Sequence, residues 1–200
     1  MKITFVTTNN VKFKIACDVL SKYGITMEQR KMELSELQTI NLDDVVMDKA
    51  KQVAKTFKEN FIVDDSGLYI DALADFPGAL LKPTMYALGE EKFLRLMNGE
   101  KNRRARFVSE LVFYNSKTNE FSLIPSTMTG TIVDTISLGT RRVGYSLERI
   151  FVPDGETKPI AELDDKEWEA LYSRTKTKLH YEELGRKLST DTGQYKQNNE

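Results

Sequence analysis

Histidine and cysteine are nearly absent from this 200-residue chain, where His180 and Cys17 each stand alone. A lone cysteine excludes a disulfide framework and a cysteine metal site. A lone histidine excludes a histidine-rich metal centre and leaves Ser-His-Asp catalysis little to work with. Charge of one sign is also lacking: 29 basic and 30 acidic residues leave a formal charge of −1. The chain therefore has no overall field to hold nucleic acid, and an anionic ligand must be met by a local cluster of cations. No apolar run approaches bilayer-spanning length, and the apolar stretch in the opening MKITFVTTNN is too short for a secretory signal. These absences lead to the expectation of a soluble, cytoplasmic protein with no membrane or nucleic-acid partner. What is present is a hydrophobic content of 40%, enough for one ordinary globular domain with a sizeable core.

The apolar pattern alternates between strand and helix. KITFVT (2–7) reads as a strand, and residues 10–23 carry Phe13, Ala16, Cys17, Leu20 and Tyr23 at helical spacing, closed by Gly24. A second strand is expected within ITMEQRKMEL (25–34). Asn41 then reads as an N-cap, with Asp43 and Asp44 in the first turn of a helix whose apolar face runs from Leu42 to Phe57. FIV (61–63) follows as a short strand, so β-α-β-α-β predicts an α/β core with some parallel pairing. Pro77, Gly78 and Pro83 break the chain ahead of a helix over 85–97. Residues 104–115 and 120–137 form a long hairpin about a turn at 115–119. ERIFVP (148–153) gives another short strand. Helices over 166–171 and 175–188 close the domain, and the polar residues 189–200 read as a flexible tail.

Several segments carry chemistry, each with a plainer alternative. TTNNVKFK (7–14) lies where the first strand turns into the first helix. Free N–H groups there attract anions, and Thr7, Thr8, Asn9, Asn10 and Lys12 add donors; the same residues also suit a simple N-cap on a solvated helix. Asp64 and Asp65, adjacent in FIVDDSGLYIDAL, repel each other and need a cation, a shared proton or solvent. They can be turn residues completed by Gly67, an acid pair sharing a proton, or a Mg²⁺ site with one acid in a cleft and the other fixing the loop. Their position at the expected carboxyl end of a strand is where open α/β sheets gather ligands. Glu36, in SELQT, is either a second oxygen ligand or an exposed loop glutamate, and Lys49 stands about two turns into the second helix. NRRAR (102–106) is locally basic and reads as a solvated strand end. Tyr145, beside Gly144, offers a flat face to a base or merely packs. Arg174, after Ser173, can reach a carbonyl or phosphate oxygen.

The order of these pieces resembles the inosine triphosphate pyrophosphatase family. The T-G-N-x-x-K turn of that family stands here as Thr7-Thr8-Asn9-Asn10-Val11-Lys12. Its acid-x-Q and K-A segments stand as Glu36-Leu37-Gln38 and Lys49-Ala50. Its D-D-S-G-L…A-L…P-G hallmark stands as Asp64-Asp65-Ser66-Gly67-Leu68, Ala72-Leu73 and Pro77-Gly78, and RARFV (104–108) matches its strand entry. The resemblance covers residues 1–188 and implies a single pyrophosphatase domain there. The implied fold is an elongated, twisted mixed sheet flanked by helices, with two lobes around a central cleft, assembled as a homodimer. It also implies Mg²⁺-dependent hydrolysis of ITP, dITP and XTP to monophosphate and pyrophosphate. In that reading Asp65 is metal ligand and catalytic base, Glu36 a second metal ligand, and Thr7, Thr8, Asn9, Asn10, Val11, Lys12, Lys49 and Ser66 substrate contacts.

Departures gather around the base-binding motifs. The family's G-[FW]-G-Y-D-P-x-F becomes Arg142-Val143-Gly144-Tyr145-Ser146-Leu147-Glu148-Arg149-Ile150-Phe151, and its S-H-R becomes Tyr172-Ser173-Arg174. Gly144, Tyr145, Ser173 and Arg174 are the implied base contacts in this rewritten region. Leu81-Lys82-Pro83 replaces the family's S-A-R. Two alternatives follow: the same chemistry on another nucleotide, or a nucleotide-binding protein without catalysis.

Overall fold

The structure, a computed structural model, describes residues 1–141, 147–174 and 179–191, leaving aside the side chains of 172–174 and 191. Its strands are β1 (Lys2–Val6), β2 (Thr26–Arg30), β3 (Phe61–Ile70), β4 (Pro77–Gly78), β5 (Arg104–Asn115), β6 (Glu120–Ile132) and β7 (Phe151–Pro153). The helices are α1 (Asn10–Leu20), α2 (Leu42–Thr56), α3 (Leu81–Arg95), α4 (Asp165–Arg174) and α5 (Leu179–Asp191). One mixed sheet runs β2-β1-β3-β5-β6-β7, with β4 pairing only with β3. β1 is parallel to β2 and β3, as the alternation of strands and helices predicts, while β3, β5, β6 and β7 pair antiparallel.

Strand alternation distributes the core. Ile62, Leu111, Phe113 and Ile124 face α1 and α5, meeting Ala16, Leu20, Tyr181 and Leu184. On the opposite face, Phe61, Val63, Val112 and Tyr114 meet Val46, Ala50 and Val53 of α2. A third cluster fills the other half of the sheet, where Leu68, Phe107 and Met128 pack against Phe93 and Met97 beside α3 and against Phe151 of β7. Helices thus flank the sheet in two lobes.

Several expectations change, among them the second hairpin strand, which ends at Ile132, and the strand expected from 148, which begins at Phe151. FIV does not end a strand: β3 continues for seven more residues, straight through Asp64-Asp65-Ser66-Gly67. Asp, Ser and Gly are poor strand formers, but the long apolar β5 imposes the conformation, pairing Asp64 with Leu111, Asp65 with Glu110 and Ser66 with Ser109. α3 begins at Leu81 rather than 85, because Pro83 falls in the first turn, where N–H groups have no intrahelical acceptor. α5 runs past residue 188 to Asp191, with Ser189 buried and its hydroxyl donating to the Gly185 carbonyl at 2.8 Å. The NRRAR guanidiniums are not idle: Arg103 donates to the carbonyls of Met97, Ile132 and Val133, Arg104 makes a two-point pair with Asp154, and Arg106 bonds Asp75. Among the described residues, no helix is long and apolar enough to cross a membrane.

Two glycines let β3 and β4 approach closely. Where β4 pairs with β3, a Cβ on Gly67 would lie 2.7 Å from the Gly78 carbonyl oxygen. Gly78 itself adopts φ +56°, and a Cβ there would stand 2.3 Å from the Ile40 carbonyl oxygen. The glycines of DSGL and PG are therefore two sides of one close strand contact.

Candidate active site

β3 leaves its parallel neighbour early. β1 pairs with it only through Thr4–Phe61 and Phe5–Ile62, and β4 takes up the same edge at Leu68 and Tyr69, so between these pairings that side of β3 is open. A cleft of about 500 Å³ occupies that opening. Its walls are the β1–α1 turn (Thr7, Thr8, Asn9, Lys12), the β2–α2 connection with Glu36, Lys49 of α2, Asp64-Asp65-Ser66 of β3, and Leu81 and Lys82 at the start of α3. The acid pair thus lies beyond the carboxyl end of β1, although it stands in mid-strand on β3.

The β1–α1 turn caps its helix. The Asn9 carboxamide oxygen accepts from the backbone N–H groups of Val11 (2.9 Å) and Lys12 (3.1 Å), and the Thr7 hydroxyl accepts from the Asn9 N–H at 3.0 Å. Asn10 and Val11 are not in the cleft wall: the Asn10 carboxamide accepts from Gln29 at 3.1 Å, and Val11 is exposed on the first turn. The cap directs Lys12 across the cleft, where its ammonium pairs with Asp64 and donates to the Ser66 hydroxyl at 2.9 Å. A lysine has three N–H donors, so one remains for a ligand.

The two aspartates differ sharply. Asp64 has a side chain 1% exposed and receives Lys12, the His180 ring at 2.9 Å and the Tyr181 hydroxyl at 2.6 Å. Burial pushes its pKa up, but the Lys12 ammonium and His180 outweigh that and hold the carboxyl well below the usual range. Asp65 is 27% exposed; one oxygen accepts from the Ser66 N–H at 2.8 Å and the other from Lys49 at 2.5 Å. Lys49 also donates to Glu36 at 2.7 Å. Burial disfavours the Lys49 charge, yet the two carboxylates raise its pKa above the ordinary lysine value. Behind Asp65, Glu110 is buried with one carboxyl oxygen unpartnered, and burial, then Asp43 and Asp65, push its pKa up to about 8.

The structure therefore brings Thr7, Thr8, Asn9, Lys12, Glu36, Lys49, Asp65 and Ser66 to one cleft. Ser173 and Arg174 end α4, while Gly144 and Tyr145 lie outside the described residues. That His180 and Tyr181 bond Asp64 is not among the sequence expectations. Their only signal is periodicity: His180 shares a helix face with Leu184 and Leu188, so the lone histidine points into the protein. Lys82 lines the cleft as well, as do Met32, Glu33, Leu34, Leu81 and Phe107, none of them an expected site residue.

The donor set fits a magnesium ion. Among the described residues, no three His, Cys, Asp or Glu side chains gather as a complete metal centre. Glu36 and Asp65, however, aim oxygens at one cationic position, now held by the Lys49 ammonium. Two carboxylates completed by ligand oxygens are what Mg²⁺ commonly takes.

Comparison with known proteins identifies the family. A model of the Ham1 family matches residues 3–179. A protein named dITP/XTP pyrophosphatase from Methanopyrus kandleri is 36% identical over 177 residues, covering 88% of this chain and 92% of the relative. A protein of the same name from Pyrococcus horikoshii has the same identity and coverage. The solved structure of a HAM1 protein from Coxiella burnetii shares the fold, with a TM-score of 0.78 at 21% identity over 95% of this chain and 99% of that one. By sequence, this chain belongs to the Ham1 family.

Proposed function

We propose that the chain is a nucleoside triphosphate pyrophosphatase that hydrolyses ITP, dITP and XTP to the monophosphate and pyrophosphate with Mg²⁺. One observation carries this reading: Lys12 and Lys49, fixed by separate carboxylates, border one cleft together with Asp65 and Glu36. A nearly neutral protein has to neutralise a triphosphate locally, and these are the local charges. The archaeal relatives' names support the substrate class.

Glu36 and Asp65 would hold a magnesium ion, which would supply charge neutralisation on the phosphate oxygens. Lys12 and Lys49 each keep an N–H for the phosphates and stabilise the charge that develops on the bridging oxygen as pyrophosphate leaves. Thr7, Thr8, Asn9 and Ser66 line the phosphate path. Asp65 orients the attacking water and takes its proton. Asp64 is unsuited to that role, since three donors and complete burial occupy it. Gly144, Tyr145, Ser173 and Arg174 are assigned to the base.

The test is a nucleotide panel with Mg²⁺ and EDTA controls, reading monophosphate and pyrophosphate. Pyrophosphate from ITP and XTP, abolished by EDTA, is expected. Equal turnover of ATP and ITP overturns the substrate assignment, and binding of ITP without hydrolysis overturns the enzyme.

A further inference from the structure

Glu36 is the least supported member of the site. Its side chain is 54% exposed, it lies in the 31–41 connection, which has no helix or strand, and Lys49 is its carboxylate's partner. Something else must set where this residue stands. The connection is held at two points. At one, the Gln52 side chain pairs with both backbone groups of Ser35: its oxygen accepts from the Ser35 N–H at 3.0 Å and its nitrogen donates to the Ser35 carbonyl at 2.9 Å. The same nitrogen donates to Asp48 at 2.7 Å, one helical turn away. Two oxygens on one side and an N–H on the other leave the carboxamide a single satisfactory orientation. Gln52 and Lys49 are three residues apart on α2 and so share a face, gripping the backbone of Ser35 and the carboxylate of Glu36, successive residues of the connection.

At the second point, the Ile40 carbonyl accepts from the Ala79 N–H at 3.0 Å and the Tyr69 hydroxyl at 3.1 Å, and the Tyr69 oxygen accepts from the Leu42 N–H at 3.2 Å. Tyr69 belongs to β3, the strand of Asp65, so the clasp ties the far end of the connection to the frame that carries the other carboxylate.

We infer that Gln52, with Tyr69, is a positioning residue that holds Glu36 in register with Asp65 for the metal ion. This rests on the assignment of Glu36 and Asp65 as metal ligands. Neither side chain touches the substrate path; each acts through the backbone of the connection.

The test uses Gln52→Met, similar in size but unable to bond Ser35, and Tyr69→Phe. Mn²⁺ alone is titrated into the substrate-free protein and followed by loss of the free-ion paramagnetic resonance signal, and the Mg²⁺ dependence of hydrolysis is measured in parallel. The expected result is a metal dissociation constant raised on the order of 10-fold in each variant, with kcat at saturating Mg²⁺ retained. Hydrogen exchange at the Ser35 amide should quicken in Gln52→Met, a local change visible without metal or substrate. Unchanged Mn²⁺ affinity in both variants, beside metal-dependent wild-type hydrolysis, overturns the positioning role alone. A wild-type protein that neither binds Mn²⁺ nor needs Mg²⁺ overturns the metal assignment and this inference with it.

Discussion

Lys12 and Asp64, 52 residues apart in sequence, form a largely buried ion pair that joins the first turn of α1 to the middle of β3. The carboxylate also receives His180 and Tyr181, so α1, β3 and α5 meet at one group. Its role is to hold an ammonium still, and its neighbour Asp65 is left for the cleft.

Asp64→Asn should destabilise the fold by about 3 kcal/mol, since removing one partner of a buried pair strands the other. Urea unfolding at pH 7 measures it. The native carboxyl's pKa is depressed, so its contribution is present above the ordinary aspartate value of about 3.9. It is lost as pH falls through the lower folded value. The difference between wild type and variant should therefore persist at pH 5 and shrink in stronger acid.

Asp65→Asn should lower kcat by on the order of 10²–10⁴, the range for loss of a general base. Pyrophosphate release with ITP is the readout. Hydrolysis at the wild-type rate would remove Asp65 from the chemistry.

Glu110 gives a pH dependence of opposite sign. Its pKa rises from 4.5 to about 8 on folding, so the folded state holds a proton that the unfolded state releases. Stability from this group is full below about pH 4.5 and declines as pH rises toward 8. Glu110→Gln carries no titrating group there and should give a flatter stability profile between pH 5 and 8. Thermal unfolding across that range decides it.

Gly67→Ala should destabilise the protein by about 1–3 kcal/mol or more, the cost of overpacking against backbone that cannot yield. Chemical denaturation checks this. A variant as stable as wild type would mean that β4 does not approach β3 this closely.

Periodicity and punctuation were enough for the first two helices, the long hairpin and the β-α-β-α-β order, because each depends on neighbours within a few residues. The Asn41 cap and the apolar face of α2 are examples. The family, too, could be recognised from the DDSGL block and its PG sequel. The Asp64-Asp65-Ser66-Gly67 segment reads as a strand end because its local composition is that of a turn. Only pairing with β5 makes it a strand.

Local sequence thus determined which residues form helices and which bear the charges, since capping and amphipathic spacing act within a turn or two. Tertiary structure decided which aspartate is buried, that His180 and Tyr181 on α5 meet it, and that Lys49 stands between Glu36 and Asp65. Those outcomes depend on contacts between segments far apart in the chain. Burial and paired charge arise only when the sheet brings them together.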